Sequence, residues 1–150
     1  TFYKVLAVRD EWFTDNLPVG AEPKEILELT LGKWIVELPE LRGLSKRDAG
    51  SVKAFASRSE DEARMAYGRK TTKRPRQFVC AGTTNSSAER GAYLVDDTGN
   101  RRFWPFTVEG TIHRVVEGKE IRLIDLGKLR DDIDQLWAEA VARHRHGESV

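Results

Sequence analysis

Two short apolar runs, each followed at once by polar residues, constrain the fold of this chain more than any other feature. Residues 34–38 (WIVEL) are closed by Pro39, and residues 78–82 (FVCAG) lead into a polar Thr-Thr-Asn sequence. Unbroken runs of this length are typical of strands that are buried on both faces. Helical patterns lie between them, so the sequence predicts a three-layer α/β fold with a sheet between helices.

Helical periodicity marks four segments of the chain. Pro23 is suited to the first turn of a short helix that Gly32 would end. Residues 46–57 form an amphipathic pattern, with Lys53 expected off the buried face. Apolar side chains at helical spacing also occur in residues 1–8 and 129–141. The first of these segments has no cap in front of it, so we expect the chain to begin inside a helix.

Further strands are predicted toward the carboxyl end. Residues 103–108 follow a turn at residues 97–100, and they are expected to form a strand. Residues 115–124 contain two apolar stretches around Glu117 and Gly118, which predicts a hairpin.

Length and composition exclude several classes of protein. The 150 residues suit one domain with one core, and no apolar run approaches the roughly 20 residues that cross a membrane. We therefore expect a cytoplasmic protein that does not bind membranes. Cys80 is the single cysteine, which excludes disulfides and cysteine-rich zinc sites. His144 and His146 diverge on a helix, so they do not form a metal pair.

Polar side chains at the ends of the apolar runs are candidates for chemistry. Glu37 and Glu40 flank Pro39, and Asn85 closes the second run. Ligand groups gather at the carboxyl ends of strands in an α/β sheet, where a carboxylate can hold Mg²⁺ or orient a water. The alternatives are a solvated strand end for the glutamates and an ordinary turn for Asn85.

Two arginines form a second candidate group. Arg101 and Arg102 stand between a Gly-Asn turn and the apolar FWPF sequence, which would hold a guanidinium rigidly toward a phosphate. A surface ion pair is the alternative.

A basic segment precedes the second apolar run. Apolar periodicity disappears over residues 58–77, which predicts a hairpin or loop. Its cations are suited to DNA phosphates and its tyrosine to stacking on a base, although a solvated hairpin explains them equally well. These residues are Arg64, Tyr67, Arg69, Lys70, Lys73, Arg74 and Arg76.

The order of these signals is more specific than any one of them. The sequences GKWIVELPEL (32–41), VKAFASRSEDEARMAYGR (52–69), RQFVCAGTTN (76–85), DDTGNRRFWPF (96–106) and LWAEA (136–140) cover nearly the whole chain. Together they resemble the virulence-associated protein E family, and GTTN followed by TGNRRFWPF is the most specific part.

The resemblance implies a phage or plasmid primase-helicase with an AAA+ P-loop ATPase of the superfamily 3 type. Its cofactors would be ATP and Mg²⁺, and its partners single-stranded or forked DNA within a homo-hexameric ring. Glu37 and Glu40 would form the Walker B element, in which only one of the two, with Glu40 preferred, would touch the metal. Asn85 would be the sensor 1 residue. Arg101 or Arg102 would be an arginine finger acting across a subunit boundary, while Lys53 and the basic segment would contact DNA.

One departure from the family pattern matters most. Members carry a Gly-rich Walker A loop just before a helix resembling residues 1–8, and no such loop is present here. The resemblance therefore implies a partial domain over residues 1–150, from Walker B to the arginine finger, that lacks the first strand and the P-loop. Neighbouring strands would then be left unpaired. The alternative is a non-catalytic module for single-stranded DNA binding or oligomerisation.

Overall fold

A computed structural model describes residues 1–38, 46–66, 68–83, 103–106, 108, 112–116 and 119–148. The architecture is mixed α/β, with parallel and antiparallel strand pairing. The chain divides into two compact units. One is Arg9–Pro105, and the other combines Thr1–Val8 with Phe106–Val150.

Helices and strands are interspersed along the chain. They are α1 (Phe2–Leu6), a 3₁₀-helix (Asp10–Trp12), β1 (Phe13–Thr14), α2 (Pro23–Thr30), β2 (Ile35–Leu38), α3 (Lys46–Ala56), β3 (Glu60–Arg64), β4 (Thr71–Pro75), β5 (Val79–Gly82), β6 (Ile112–Val116), β7 (Lys119–Leu123) and α4 (Leu126–Arg145).

The unit Arg9–Pro105 contains a three-stranded parallel sheet in the order β1-β2-β5. The predicted strands at residues 34–38 and 78–82 are confirmed as β2 and β5. The expectation that both are buried is wrong for β5, in which no residue is buried. Among the described strands, β5 pairs only with β2, and Val79 is 63% exposed. Because the strands are parallel, their carboxyl ends lie at one edge of the sheet.

Helix α2, which the apolar spacing predicts, lies between β1 and β2 in the chain. Pro23 occupies its first turn, and Gly32 follows its end with a φ of 71° that favours glycine. Ile26 and Leu27 are buried, as is Thr30, whose hydroxyl donates to the Ile26 carbonyl at 2.7 Å. The core of this unit contains Leu17, Ile26, Val36, Leu38 and Val52.

Strands β3 and β4 form the antiparallel hairpin expected in the basic segment. Exposure alternates along β3, so Asp61 and Ala63 point inward while the residues between and beside them are exposed. A period of two is the pattern of a strand with one buried face. Helix α2 packs against β3, which attaches the hairpin to the core.

The second unit contains α1, the hairpin β6–β7 and the long helix α4. The hairpin and the last helix are confirmed, and Gly147 follows α4 with a φ of 75°. The side chain of Asp125 caps α4 by accepting a hydrogen bond from the Lys128 amide at 2.9 Å. Helix α1 packs against α4, and the Trp137 indole donates to the Leu6 carbonyl at 3.0 Å.

Two expectations from the sequence are wrong. The first helix has a cap, because Thr1 accepts a hydrogen bond from the Lys4 amide at 3.3 Å. The strand expected at residues 103–108 is not formed by the described residues 103–106 and 108. Pro105 has no N–H to donate to a neighbouring strand, and Trp104 is 72% exposed. No helix within the described ranges has the length and apolar character to span a bilayer.

Candidate functional site

Glu37 brings a carboxylate to the carboxyl edge of the parallel sheet. It lies in β2 between the buried residues Val36 and Leu38, opposite Ala81 of β5. The side chain is half-buried, and its Oε2 atom is buried without a hydrogen-bond donor among the described residues. A buried polar atom without a partner is costly, so it indicates a site that gains from binding a cation or a donor.

The chemistry of this site fits a magnesium ion that is carried by a nucleotide. The described residues contain no group of three or more His, Cys, Asp or Glu side chains that could enclose a metal. Mg²⁺ commonly retains several waters and is held by one or two carboxylates together with substrate phosphates. Glu37 is a carboxylate of the kind that this arrangement uses.

The other predicted catalytic residues lie outside the described part of the chain. They are Glu40, Asn85, Arg101 and Arg102. In sequence, Glu40 follows β2 closely and Asn85 follows β5 closely. Their roles stay predictions.

The hairpin tip, residues 64–70, carries exposed positive charge. Arg64, Arg69 and Lys70 are exposed. The Arg64 Nε atom donates to the Gly68 carbonyl at 2.9 Å, which holds this guanidinium across the turn. A Cβ atom on Gly68 would lie 3.0 Å from the Met65 carbonyl oxygen, so a side chain there would require the turn to shift. Tyr67, the predicted stacking residue, lies outside the described residues.

The cations nearer the base of the hairpin differ in their surroundings. Lys73 lies opposite Glu62 in the hairpin, and its Nζ atom is 3.0 Å from Glu62 and 3.8 Å from Glu60. Its hydrogen bond to Glu62 raises the pKa of the Lys73 ammonium. Arg74 is exposed, and no acidic residue of the described chain forms an ion pair with it. Partial neutralisation makes Lys73 a weaker phosphate ligand than Arg74 or the tip residues.

Arg76 is buried in the protein, unlike the cations of the hairpin tip. Its Nε and Nη2 atoms each donate to the Asp61 carboxylate at 2.7 Å, and its Nη1 donates to the Phe55 carbonyl. The guanidinium also lies over the rings of Phe55 and Phe78, at 4.0 Å and 5.1 Å from their centroids. The two side chains of the Arg76–Asp61 pair are only 7% and 4% exposed. In this conformation Arg76 cannot reach a DNA phosphate.

Lys53 is also buried, which corrects the expectation that it lies off the buried face of α3. It is 8% exposed, and Ala49 and Val52 beside it are buried as well. The three positions have the i, i+3, i+4 spacing that forms one side of a helix. A DNA contact by Lys53 would require its side chain to leave this face.

Sequence reasoning did not identify Asp61, although a signal was present. Asp61 and Ala63 are two residues apart in β3, so they share the inward face. An aspartate at such a position needs a buried cation, and Arg76 follows the partner strand directly. The period of two could therefore have indicated the pair.

Cys80 is a partly buried free thiol. It lies in β5 next to the core. Burial raises the pKa of its thiol to about 11, so the nucleophilic thiolate is scarce at neutral pH.

Comparison with known proteins adds one positive finding. No curated protein matches this chain. The model of the virulence-associated protein E-like domain matches residues 1–150, in agreement with the ordered motifs. Since that match covers the whole chain, the protein belongs to the virulence-associated protein E-like domain family.

Proposed function

We propose that this chain forms part of the ATP-dependent helicase domain of a mobile-element replication protein. Membership in the family supports an association with the replication of mobile elements. The observation that carries the ATPase assignment is Glu37, a half-buried carboxylate at the carboxyl edge of a parallel sheet. This is the place where open α/β sheets bind their ligands.

Each predicted residue has a distinct role in this mechanism. Glu37, rather than the Glu40 that the sequence favours, would hold the Mg²⁺ of bound ATP, and Glu40 would orient the attacking water. Asn85 binds that water or a phosphate oxygen, and Arg101 or Arg102 from a neighbouring subunit stabilises the charge on the transferred phosphoryl group. Phosphoryl transfer depends mainly on such alignment and charge neutralisation. The finger requires a homo-oligomeric ring, which we propose to be a hexamer.

The three-layer P-loop fold is part of the same proposal. The order β1-β2-β5 and its parallel pairing support it. In such a fold, β5 has a further parallel neighbour on the side away from β2, the strand that leads into the Walker A loop. Among the described strands β5 pairs only with β2, so no described strand covers its other edge.

The test is ATP hydrolysis by the complete gene product, with and without single-stranded DNA. Glu37→Gln and Glu40→Gln should each reduce DNA-stimulated turnover to background. One of the two variants Arg101→Ala and Arg102→Ala, the one that removes the arginine finger, should do the same. Glu22→Gln is the matched control, because Glu22 is exposed and makes no capping hydrogen bond. Unchanged turnover in both Glu37→Gln and Glu40→Gln would refute the ATPase assignment.

Single-stranded DNA binding without catalysis is the second candidate function. The exposed cations of the hairpin tip favour it, since Arg64, Arg69 and Lys70 stand together on one turn. Such binding weakens as salt increases, with a slope of about 0.7 per phosphate contact on a single strand.

This second function is tested on the 150-residue chain by fluorescence anisotropy of a labelled oligonucleotide over a salt series. The double variant Arg69→Gln with Lys70→Gln should lower both the affinity and the salt slope. Lys128→Gln, which removes an exposed cation from α4, is the control and should change neither by as much. Equal slopes in the wild type and the double variant would show that the tip does not contact phosphates.

A further inference from the structure

All three guanidinium nitrogens of Arg76 donate a hydrogen bond within the protein. Two of its nitrogen atoms donate to Asp61 and a third donates to the Phe55 carbonyl. Its main-chain N–H donates to the Ser59 carbonyl at 2.9 Å. The guanidinium is therefore held in one position, and its positive charge is balanced by the carboxylate of Asp61.

The partners of Arg76 belong to three different elements. Asp61 lies in β3 at the base of the hairpin, Phe55 lies in α3, and Phe78 directly precedes β5. The rings of Phe55 and Phe78 stack with their centroids 6.2 Å apart, and the guanidinium contacts both. The hairpin base is therefore joined to the helix and to the start of β5 through one side chain.

Stability alone does not explain why an ion pair is buried here. Its desolvation cost is so large that apolar side chains of similar volume often stabilise a protein as well or better. What a forked guanidinium adds is one defined geometry, since its donors fit a carboxylate in a bidentate manner. Here Nε and Nη2 of Arg76 contact the two carboxylate oxygens of Asp61 at the base of the hairpin.

We infer that Arg76 is a positioning residue for single-stranded DNA binding. The Arg76–Asp61 pair holds the hairpin base against α3 and β5, and thereby keeps the tip cations Arg64, Arg69 and Lys70 in a binding arrangement. The inference rests on the proposed DNA binding. Arg76, which the sequence pattern places on DNA, therefore does not contact DNA itself and instead positions the cations that do.

Three variants of the 150-residue chain separate positioning from phosphate contact. Arg76→Lys keeps the charge but loses the bidentate fork. Arg76→Met removes the charge and leaves Asp61 buried without its partner. Combining Arg76→Met with Asp61→Leu replaces the pair by apolar side chains and leaves the net charge of the chain unchanged.

The first readout is the affinity for a labelled single-stranded oligonucleotide over a salt series. If the hairpin is in place about a tenth of the time, the affinity falls about ten-fold, because only that fraction binds. We expect this loss in Arg76→Lys and Arg76→Met with the salt slope unchanged, and recovery in the double variant. Full affinity in Arg76→Lys would overturn the inference, as would a double variant that stays weak with its slope lowered by about 0.7.

The second readout is amide hydrogen exchange in peptides that cover the hairpin and β5. The single variants should accelerate exchange in both regions, and the double variant should restore both. Acceleration confined to the hairpin would show that Arg76 does not join it to β5, which also overturns the inference. If the wild type binds no DNA, the proposed binding function and the DNA part of the inference fail, while the exchange data still decide whether the pair joins the two elements.

Discussion

Glu37 of β2 stands directly opposite Ala81 of β5, so a carboxylate and a methyl group are neighbours on one face of the parallel sheet. Ala81 offers no donor in its side chain, and the buried Oε2 atom of Glu37 has no donor among the described residues. The register thus places an acidic group where the described residues do little to stabilise it. Such a position costs stability and is typical of a functional site.

The first prediction concerns this cost. Glu37→Leu should raise the free energy of unfolding by about 1 kcal/mol, because it removes a buried oxygen that has no partner among the described residues. Urea denaturation followed by far-UV circular dichroism measures the change. Glu22→Leu is the control, since Glu22 is exposed and should give no such gain. A less stable Glu37→Leu chain would show that the carboxylate is satisfied in the folded state.

The second prediction compares two arginines of the same basic segment. Arg76→Ala should lower the free energy of unfolding by about 3–5 kcal/mol, because it leaves Asp61 buried without its partner. Arg69→Ala should change it by no more than about 0.5 kcal/mol, since Arg69 is exposed. Denaturant titrations of both variants provide the comparison. If Arg76→Ala lowered the free energy of unfolding by as little as Arg69→Ala, Arg76 would not be a structural residue.

Much of the fold of the unit Arg9–Pro105 could be predicted because it follows from local patterns. Strands β2 and β5 are unbroken apolar runs, and α2 is bounded by Pro23 and Gly32. Strand β1 could not be predicted, because two residues in a polar stretch carry no periodicity. It becomes a strand only through parallel pairing with β2, which is a tertiary interaction.

The candidate site was predictable in part, for a physical reason. A carboxylate at the end of a buried strand is visible in the sequence, so Glu37 was identified. The difference between Arg69 and Arg76 is not visible, because both are cations in one basic segment. Only the fold brings Asp61 to Arg76, and burial then decides which arginine is available to a ligand. Lys53 was placed incorrectly because its charge was given more weight than its spacing from Ala49.

The third prediction concerns Val8, which has a φ of 68°. The left-handed region costs an L-residue about 1–2 kcal/mol, and a β-branched side chain is a genuine outlier there. Val8 is 44% exposed, so little packing is lost when its side chain is removed. Val8→Gly should therefore raise the free energy of unfolding by about 1 kcal/mol, although glycine gains entropy in the unfolded chain. Thermal and urea denaturation measure it.

The control for this prediction is Val8→Ala, which shortens the side chain but keeps the Cβ atom. Because the Cβ atom is the cause of the strain, Val8→Ala should raise the free energy of unfolding by less than Val8→Gly does. Equal gains in the two variants would attribute the effect to the exposed apolar side chain, and a loss in Val8→Gly would show that the strain is absent.

The fourth prediction uses Cys80 as a probe of folding. Burial raises the pKa of its thiol from 9.0 to about 11, so at pH 8 alkylation should be about a hundred-fold slower in the folded chain than in urea. The pKa of the thiol is higher in the folded chain than in the unfolded chain, so the protonated thiol contributes to the free energy of unfolding. That contribution is complete below about pH 9 and is lost as the pH rises toward 11. Mass spectrometry of iodoacetamide-treated protein measures the rate without ambiguity, since no other cysteine is present. Equal rates with and without urea would mean that the thiol is open to solvent, and that β5 does not pack against the core as described.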